Sequence, residues 1–338
     1  MSEKNSIRKT SVGGQALIEG VMMNGPKGAA LSVRHTDGNI ITEFTEVKHA
    51  RDKVKFLGYP LIRGVVNFIE SMVVGYKSLM RSAELSGQLE AEESADDSKL
   101  DKWLNDHLNE KAVSAITLVA SVFATVLAMF LFVWLPTWAV DKADFGLFGG
   151  ALERHYLHPL LEGVIRLIVV VAYMWVISRM KDIKRVFMYH GAEHKTIFCY
   201  EKGLDLTVEN VRGCKRFHPR CGTSFIFIVL ITSIIISSAV KVLLDSVSFF
   251  ELFASDSADR LIWMAIKIIV LLPIVTGISY ELIKYAGRHD NALTKIFSAP
   301  GLWMQRITTS EPTDDMIEVA IASLKAVITD NPEDDTLK

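Results

Sequence analysis

The chain has 338 residues, half of them hydrophobic and 22% charged, with a mean hydropathy of +0.26. Its formal net charge of −2, with no strongly basic segment, excludes a dedicated phosphate-binding arm, so no nucleic-acid partner is expected. A soluble domain of this length rarely carries such an apolar surplus, which points to long apolar runs and to a lipid bilayer as the first partner.

Met1–Thr10 is polar, and the first 110 residues hold no apolar run as long as a signal-peptide core, so no cleaved signal peptide is expected. Residues 11–56 read as β. Leu31–Phe44 alternates around Asp37-Gly38, a strong two-residue hairpin signal. The preceding glycine-rich stretch, Gly13 to Pro26, implies tight turns but matches neither a dinucleotide-binding nor a P-loop spacing. Tyr59–Ala83 reads as an amphipathic helix, with apolar residues recurring from Leu61 through Val65, Phe68 and Met72 to Met80. Such a helix lies on a membrane surface or packs on the cytoplasmic part, the second being its more ordinary fate. Glu84–Glu110 is acidic and reads as a flexible linker.

Four apolar runs follow: Ala112–Val140, Leu160–Ser178, Thr223–Leu244 and Leu261–Leu282. Each approaches the ~20 residues that span a hydrocarbon core. The loop Arg179–Gly222 carries ten Lys and Arg, against two in Asp141–Pro159 and one in Asp245–Arg260. The positive-inside rule makes the rich loop cytoplasmic, and both termini with it. Glu162, Arg166, Lys241 and Lys267 then fall in the outer half of the membrane, where anchoring and pairing are expected of them rather than a transport path. Glu162 and Arg166 have i,i+4 spacing. Beyond the fourth run, Thr313–Val327 reads as an amphipathic helix with Asp314 and Asp315 at its N-terminal end, and Asp330–Lys338 reads as frayed.

The expected fold is a mainly α multi-pass membrane protein, about four transmembrane helices with a cytoplasmic α+β part. Its segments are a β-rich region with an amphipathic helix (11–83), an acidic linker (84–110) and transmembrane helices 1 and 2 (111–178). A cytoplasmic His/Glu/Cys loop domain (179–222), transmembrane helices 3 and 4 (223–282) and a cytoplasmic helical tail (283–338) complete it.

The chemistry concentrates in the cytoplasmic loop. His190 and His194 lie one helical turn apart, a spacing at which two imidazoles grip one metal ion. Glu193 beside them is placed to activate a water, in the H-x-x-E-H order of inverted zinc peptidases. Glu201 falls on the same stripe as a third ligand or supporting partner. His218 and Cys221 are good further ligands, and Glu281, at the cytoplasmic end of the fourth run, is a carboxylate near the same membrane face. The alternative is a hydrogen-bonded His/Glu face with no metal. All three cysteines, Cys199, Cys214 and Cys221, fall within 23 residues, and their odd number argues against a closed disulfide framework.

The chain resembles the bacterial YqhQ-type family of multi-pass membrane proteins, a family of unknown function described as predicted metal-dependent enzymes. The resemblance covers nearly all of residues 11–325. It rests on Gly13-Gly14-Gln15-Ala16-Leu17-Ile18-Glu19-Gly20-Val21-Met22-Met23, Tyr189-His190-Gly191-Ala192-Glu193-His194-Lys195, His218-Pro219-Arg220-Cys221-Gly222-Thr223-Ser224-Phe225, Gly277-Ile278-Ser279-Tyr280-Glu281 and Gln305-Arg306-Ile307-Thr308-Thr309. Where the family's early motif continues with Arg, this chain has Asn24. The resemblance implies a bacterial inner-membrane location and a metal site, expected to take zinc, at His190, Glu193, His194, His218, Cys221 and Glu281.

Two functions compete. One is a metal-dependent hydrolase at the cytoplasmic face, with Glu193 as general base and Arg220 and Lys195 facing an anionic intermediate, its substrate unknown. The other is a non-enzymatic scaffold that docks a cytoplasmic protein and uses the cluster as a structural metal staple or polar core. A transporter using Glu162, Arg166 and Lys267 ranks last, because no repeated or broken helices are evident.

Overall fold

The computed structural model describes residues 9–47, 50–87, 110–144, 146, 157–247, 262–263, 265–289 and 291–336. Most of the expected acidic linker lies outside them. The chain divides into two compact units.

The first unit comprises Met1–Leu89, Met174–Val229 and Pro273–Lys338. It holds a four-stranded antiparallel sheet in chain order: β1 (Gly13–Leu17), β2 (Gly20–Gly25), β3 (Gly28–Arg34) and β4 (Ile40–Thr45). Gly38, at φ +90°, makes the turn between β3 and β4 that Asp37-Gly38 announces. Residues 50–56, expected to be β, differ. Ala50–Lys53 is a single helical turn and Lys55–Gly58 a 3-10 turn. Among the described residues β4 ends the sheet.

The pleat sorts the sheet's side chains by parity. Leu17, Met22, Leu31 and Val33 face helix α1 (Ile62–Leu85) and pack with its Leu79 and Leu85. Val21, Met23 and Ala30 point to the other face. There they meet helix α4 (Lys181–Glu201) and helix α9 (Asp314–Val327), whose Met316, Ile317, Val319, Ala320 and Leu324 are fully buried. Each of these side chains except Ala320 contributes about 1.5–3 kcal/mol of burial. Ser323 in α9 is tied to the sheet, donating to the Ala30 carbonyl (2.8 Å) and accepting from the Met23 amide (3.1 Å). This double coverage explains why β2 and β3 are buried on both faces.

The C-terminal end is not frayed through residue 336. Asp335 is fully buried and accepts from the Thr329 amide (3.1 Å), the Thr329 hydroxyl (2.7 Å) and the Tyr200 hydroxyl. Its carbonyl accepts from the Ser11 amide (2.8 Å), and Thr10 bridges to Thr336, so the two ends of the chain pair.

Among the described residues, four helical segments are long and apolar enough to cross a membrane: Leu118–Ala143, Leu157–Ile177, Ser224–Leu244 and Ile266–Ala286. The protein is thus a multi-pass membrane protein, and each segment overlaps one of the four apolar runs. The first lies in α2, which runs as Glu110–Met129, a π-helical Phe130–Trp134 and Leu135–Ala143. The second is α3 (Leu157–Ile177). After α4 and the short α5 (Val208–Arg212), the third lies in α6 (Gly222–Ser246). The fourth lies in α7, formed by a π-helical Ile266–Leu271 and Leu272–Arg288. Helix α8 (Ala292–Thr308) precedes α9 and starts at a capping box between Asn291 and Thr294.

The second unit comprises Glu90–Tyr173 and Leu230–Leu272. Glu162, Arg166 and Lys267 pair there, as their positions led us to expect. Glu162 accepts from Arg166 one turn on, and Lys267 lies 3.6 Å from the same carboxylate. Arg166 also donates to the Phe132 carbonyl (2.9 Å) inside the π-helical turn of α2. Paired charges are the form in which a membrane interior tolerates ionisable residues.

Candidate metal centre

α4 carries the centre, and its sequence explains why it is helical despite Gly191. An added Cβ at Gly191 would lie 2.0 Å from the carbonyl oxygen of Ser310. The glycine therefore lets the extended Thr309–Pro312 segment cross directly over the helix, where the Ser310 amide donates to the Phe187 carbonyl (2.8 Å). The crossing brings the Thr308 carbonyl within 2.8 Å of His190 Nδ1.

That contact fixes a tautomer. A carbonyl can only accept, so His190 Nδ1 carries the proton and Nε2 presents a lone pair. His194 repeats the arrangement, its Nδ1 donating to the Arg216 carbonyl (2.5 Å). Both rings are set as metal-binding imidazoles are, with the remote nitrogen anchored on an outer acceptor. The two rings lie 4.4 Å apart by centroid. The Cys221 sulfur stands 3.2 Å from His190 Nε2. One donor atom from each of His190, His194 and Cys221 falls within 4.8 Å of the others. Sulfur and imidazole nitrogen suit zinc.

Two buried atoms here have no hydrogen-bond partner among the described residues: His194 Nε2 and Glu193 Oε2. An orphaned buried polar atom costs about 1–3 kcal/mol, which a bound cation and its water would recover. Burial lowers the pKa of His194, with neighbouring His190 adding to the effect, so the ring stays neutral and ready to ligate. Glu193 is also fully enclosed. Burial raises its pKa to about 8, partly offset by His190, while the Cys221 sulfur adds to the rise and the Gly14 amide, which donates to it, opposes it. Gly14 is a glycine for the same reason as Gly191: a Cβ there would meet the Met22 carbonyl at 2.7 Å and the Glu193 carboxyl carbon at 3.0 Å. The glycine-rich N-terminal motif therefore brings a backbone donor onto the buried carboxylate.

The structure brings together His190, His194 and Cys221, with Glu193 beside them, and holds His218 and Glu281 apart from that group. His218 Nδ1 accepts from the Arg220 amide (3.3 Å) and its Nε2 donates to Glu201 (3.3 Å), so both nitrogens are used. Its ring centre is 5.8 Å from that of His194. Glu281 forms a bidentate pair with Arg63 (2.6 and 2.5 Å). Glu201 is the hub of a buried ion cluster, accepting from Thr10 (2.9 Å to its amide), Arg220 and His218. Burial would raise its pKa, but the His218 hydrogen bond and the Arg220 charge outweigh that and bring it to about 2.

No solved structure matches this fold. A family model described as protein of unknown function, DUF1385, matches residues 59–330. The chain belongs to the DUF1385 family. It is 32% identical over 317 residues to the uncharacterized protein YqhQ of Bacillus subtilis (strain 168), covering 94% of this chain and 92% of that protein.

In this DUF1385 member a further residue, quoted in the sequence only as part of a motif, holds a neighbouring loop in place. Gln305, fully buried in α8, accepts from the His218 amide (2.7 Å) and donates to the His218 carbonyl (2.7 Å). It clamps the loop that leads to Cys221. Its place in the Gln305–Thr309 motif was the only signal, since a lone glutamine on a helix has no ligand spacing to reveal it.

Proposed function

We propose that this protein is a metal-dependent hydrolase of the inner membrane whose centre works at the cytoplasmic face, with zinc held by His190, His194 and Cys221. The observation that carries the reading is the pair of imidazoles, each anchored through Nδ1 and each aiming Nε2 toward one thiol, beside a buried carboxylate. His190, His194 and Cys221 would hold a zinc ion through three donors and so leave it open to a further ligand, as catalytic rather than closed structural sites are. A divalent ion there supplies Lewis-acid chemistry and lowers the pKa of a bound water. Glu193, held by the Gly14 amide and with Oε2 unengaged, would act as the base once a divalent charge beside it had brought its raised pKa back down, holding at Oε2 the proton that passes from water to a leaving group. Lys195 and Arg216, paired with Glu311 (2.5 and 3.3 Å), are nearby cations for an anionic substrate. The cytoplasmic assignment rests on the ten Lys and Arg of the 179–222 loop.

A second reading, a scaffold with a structural metal, is favoured by burial. His194 is 1% exposed, Glu193 4% and Cys221 9%. Metal analysis of purified wild type, His190→Ala/His194→Ala and Glu193→Gln separates the readings when joined to complementation of a deletion strain. The hydrolase reading expects metal in wild type and Glu193→Gln, none in the double variant, and complementation by wild type alone. Complementation by Glu193→Gln would favour the scaffold, and metal-free wild type would remove both metal readings.

A further inference from the structure

α1 is not clothed as a surface helix of a soluble domain. Its C-terminal half packs on the sheet, but Ile69 and Met72, with Tyr59 in the turn ahead of the helix, are each more than half exposed, and Phe68 and the preceding Leu61 are exposed beside them. An apolar face of that size, left open, marks an interaction surface. What it meets follows from where the helix sits. Gly64 lies against Gly277 and Tyr280, so closely that a Cβ on Gly64 would come 2.9 Å from Gly277 Cα, and one on Gly277 would come 2.7 Å from the Leu61 carbonyl oxygen. Asn67 donates to the Tyr280 hydroxyl (2.7 Å) and Arg63 to Glu281. As α1 advances from residue 61 to 67, its partners advance from 277 to 281, so the two helices run side by side in the same direction.

Gly277 stands nine residues before the end of the span Ile266–Ala286. At 1.5 Å per residue that is about 14 Å inside, close to the midplane of a ~30 Å hydrocarbon core. Phe68 packs on Phe225 (5.7 Å between ring centres), one residue inside the span Ser224–Leu244. The start of α1 is therefore deep and its residue 68 is near the interface. The one cation on this stretch, Arg63, is neutralised by Glu281 in a bidentate pair, as acyl-chain depth requires. Leu61 holds a strained φ of +69° at the turn into the helix, where its carbonyl meets Gly277.

We infer that Tyr59–Met72 is a re-entrant membrane element: it enters the leaflet on the side of the metal centre, turns at Tyr59–Leu61 near mid-bilayer, and returns along the last span with its open face against lipid acyl chains. Close small-residue packing of the Gly64/Gly277 kind is how helices associate in lipid, and the exposed face continues the lipid-facing surface at Phe225 and Ile226. Glu281 then serves as the counter-ion that lets Arg63 reside there.

The test is nitroxide scanning of the full-length protein in phosphatidylcholine/phosphatidylglycerol vesicles, with labels at Tyr59→Cys, Ile69→Cys and Met72→Cys. These positions are exposed, so the variants should fold, and the three native thiols are buried. Ile235→Cys in a span and Val47→Cys beside the sheet are the references. At Tyr59 and Ile69, collision with oxygen should exceed collision with a nickel chelate as it does at Ile235. Nickel dominance, as at Val47, would overturn the inference in favour of a water-exposed surface. Shielding from both reagents would overturn it in favour of a protein partner or second copy. As an independent readout, a phosphatidylcholine with a mid-chain diazirine should crosslink the unmodified protein within residues 56–72, and crosslinks confined to the four spans would also overturn it.

Discussion

Replacing Gly191 with alanine inverts a general rule. A glycine inside a helix ordinarily costs about 1 kcal/mol relative to alanine, so Gly→Ala stabilises. At Gly191 the new Cβ would sit 2.0 Å from the Ser310 carbonyl oxygen, a backbone atom that must retreat by more than an ångström to reach ordinary contact. Overpacking of this kind costs about 1–3 kcal/mol. The retreat also strains the 2.8 Å bond from the Ser310 amide to Phe187, worth about 1 kcal/mol. Against the propensity gain, the net is a loss of about 2 kcal/mol. The same shift moves the Thr308 carbonyl off His190, and losing such an outer partner typically lowers metal affinity by about 10–100-fold. Gly213→Ala is the control, because its Cβ would meet nothing closer than 3.6 Å. Thermal unfolding in detergent, with a competitive zinc titration, reads both effects. Gly191→Ala should unfold several degrees below wild type and bind zinc more weakly, while Gly213→Ala stays at or above wild type. A Gly191→Ala protein as stable as the control would refute the close-crossing argument.

Three other outcomes follow. Glu201→Gln should destabilise the protein at neutral pH by about 3 kcal/mol, because it leaves the half-buried Arg220 without its counter-charge. Since the folded pKa of Glu201 is depressed to about 2, its contribution is complete above the unfolded value of 4.5 and lost as pH falls toward 2. Denaturant titrations of wild type and variant should therefore converge over that interval, and a constant gap would contradict the assignment. Asp335→Ala should cost about 2–4 kcal/mol through the orphaned Thr329 and Tyr200 donors, and urea midpoints unchanged from wild type would mean that the terminal pairing is dispensable. Gln305→Leu leaves the His218 amide and carbonyl unpaired and should lower both stability and zinc affinity, whereas an effect on stability alone would detach the clamp from the centre.

The sequence made the four membrane-spanning segments legible because their signal is local: apolar runs of spanning length need no tertiary information. The β3–β4 hairpin was legible for the same reason, through Asp37-Gly38. His190, Glu193 and His194 were readable from helical spacing, and Cys221 from chemistry alone. Gly191 misled, since helix propensity counts it as a weakness while its cause is a carbonyl 119 residues further on. Glu281 and His218 were reasonable ligands by type and position, but only folding reveals that Arg63 and Glu201 engage them. The polar tail hid Asp335, whose buried role depends on residues near both ends of the chain and on α4. In each instance the missing information was a contact between residues distant in the chain, which no spacing rule encodes.

The central claim is that His190, His194 and Cys221 bind one divalent ion together. X-ray absorption at the zinc edge, on protein purified and reconstituted with zinc alone, tests it most directly. The account predicts one sulfur at about 2.3 Å and two imidazole nitrogens at about 2.0–2.1 Å, with the sulfur shell lost in Cys221→Ser. A zinc sphere lacking sulfur in the wild type, or one unchanged in that variant, would contradict it.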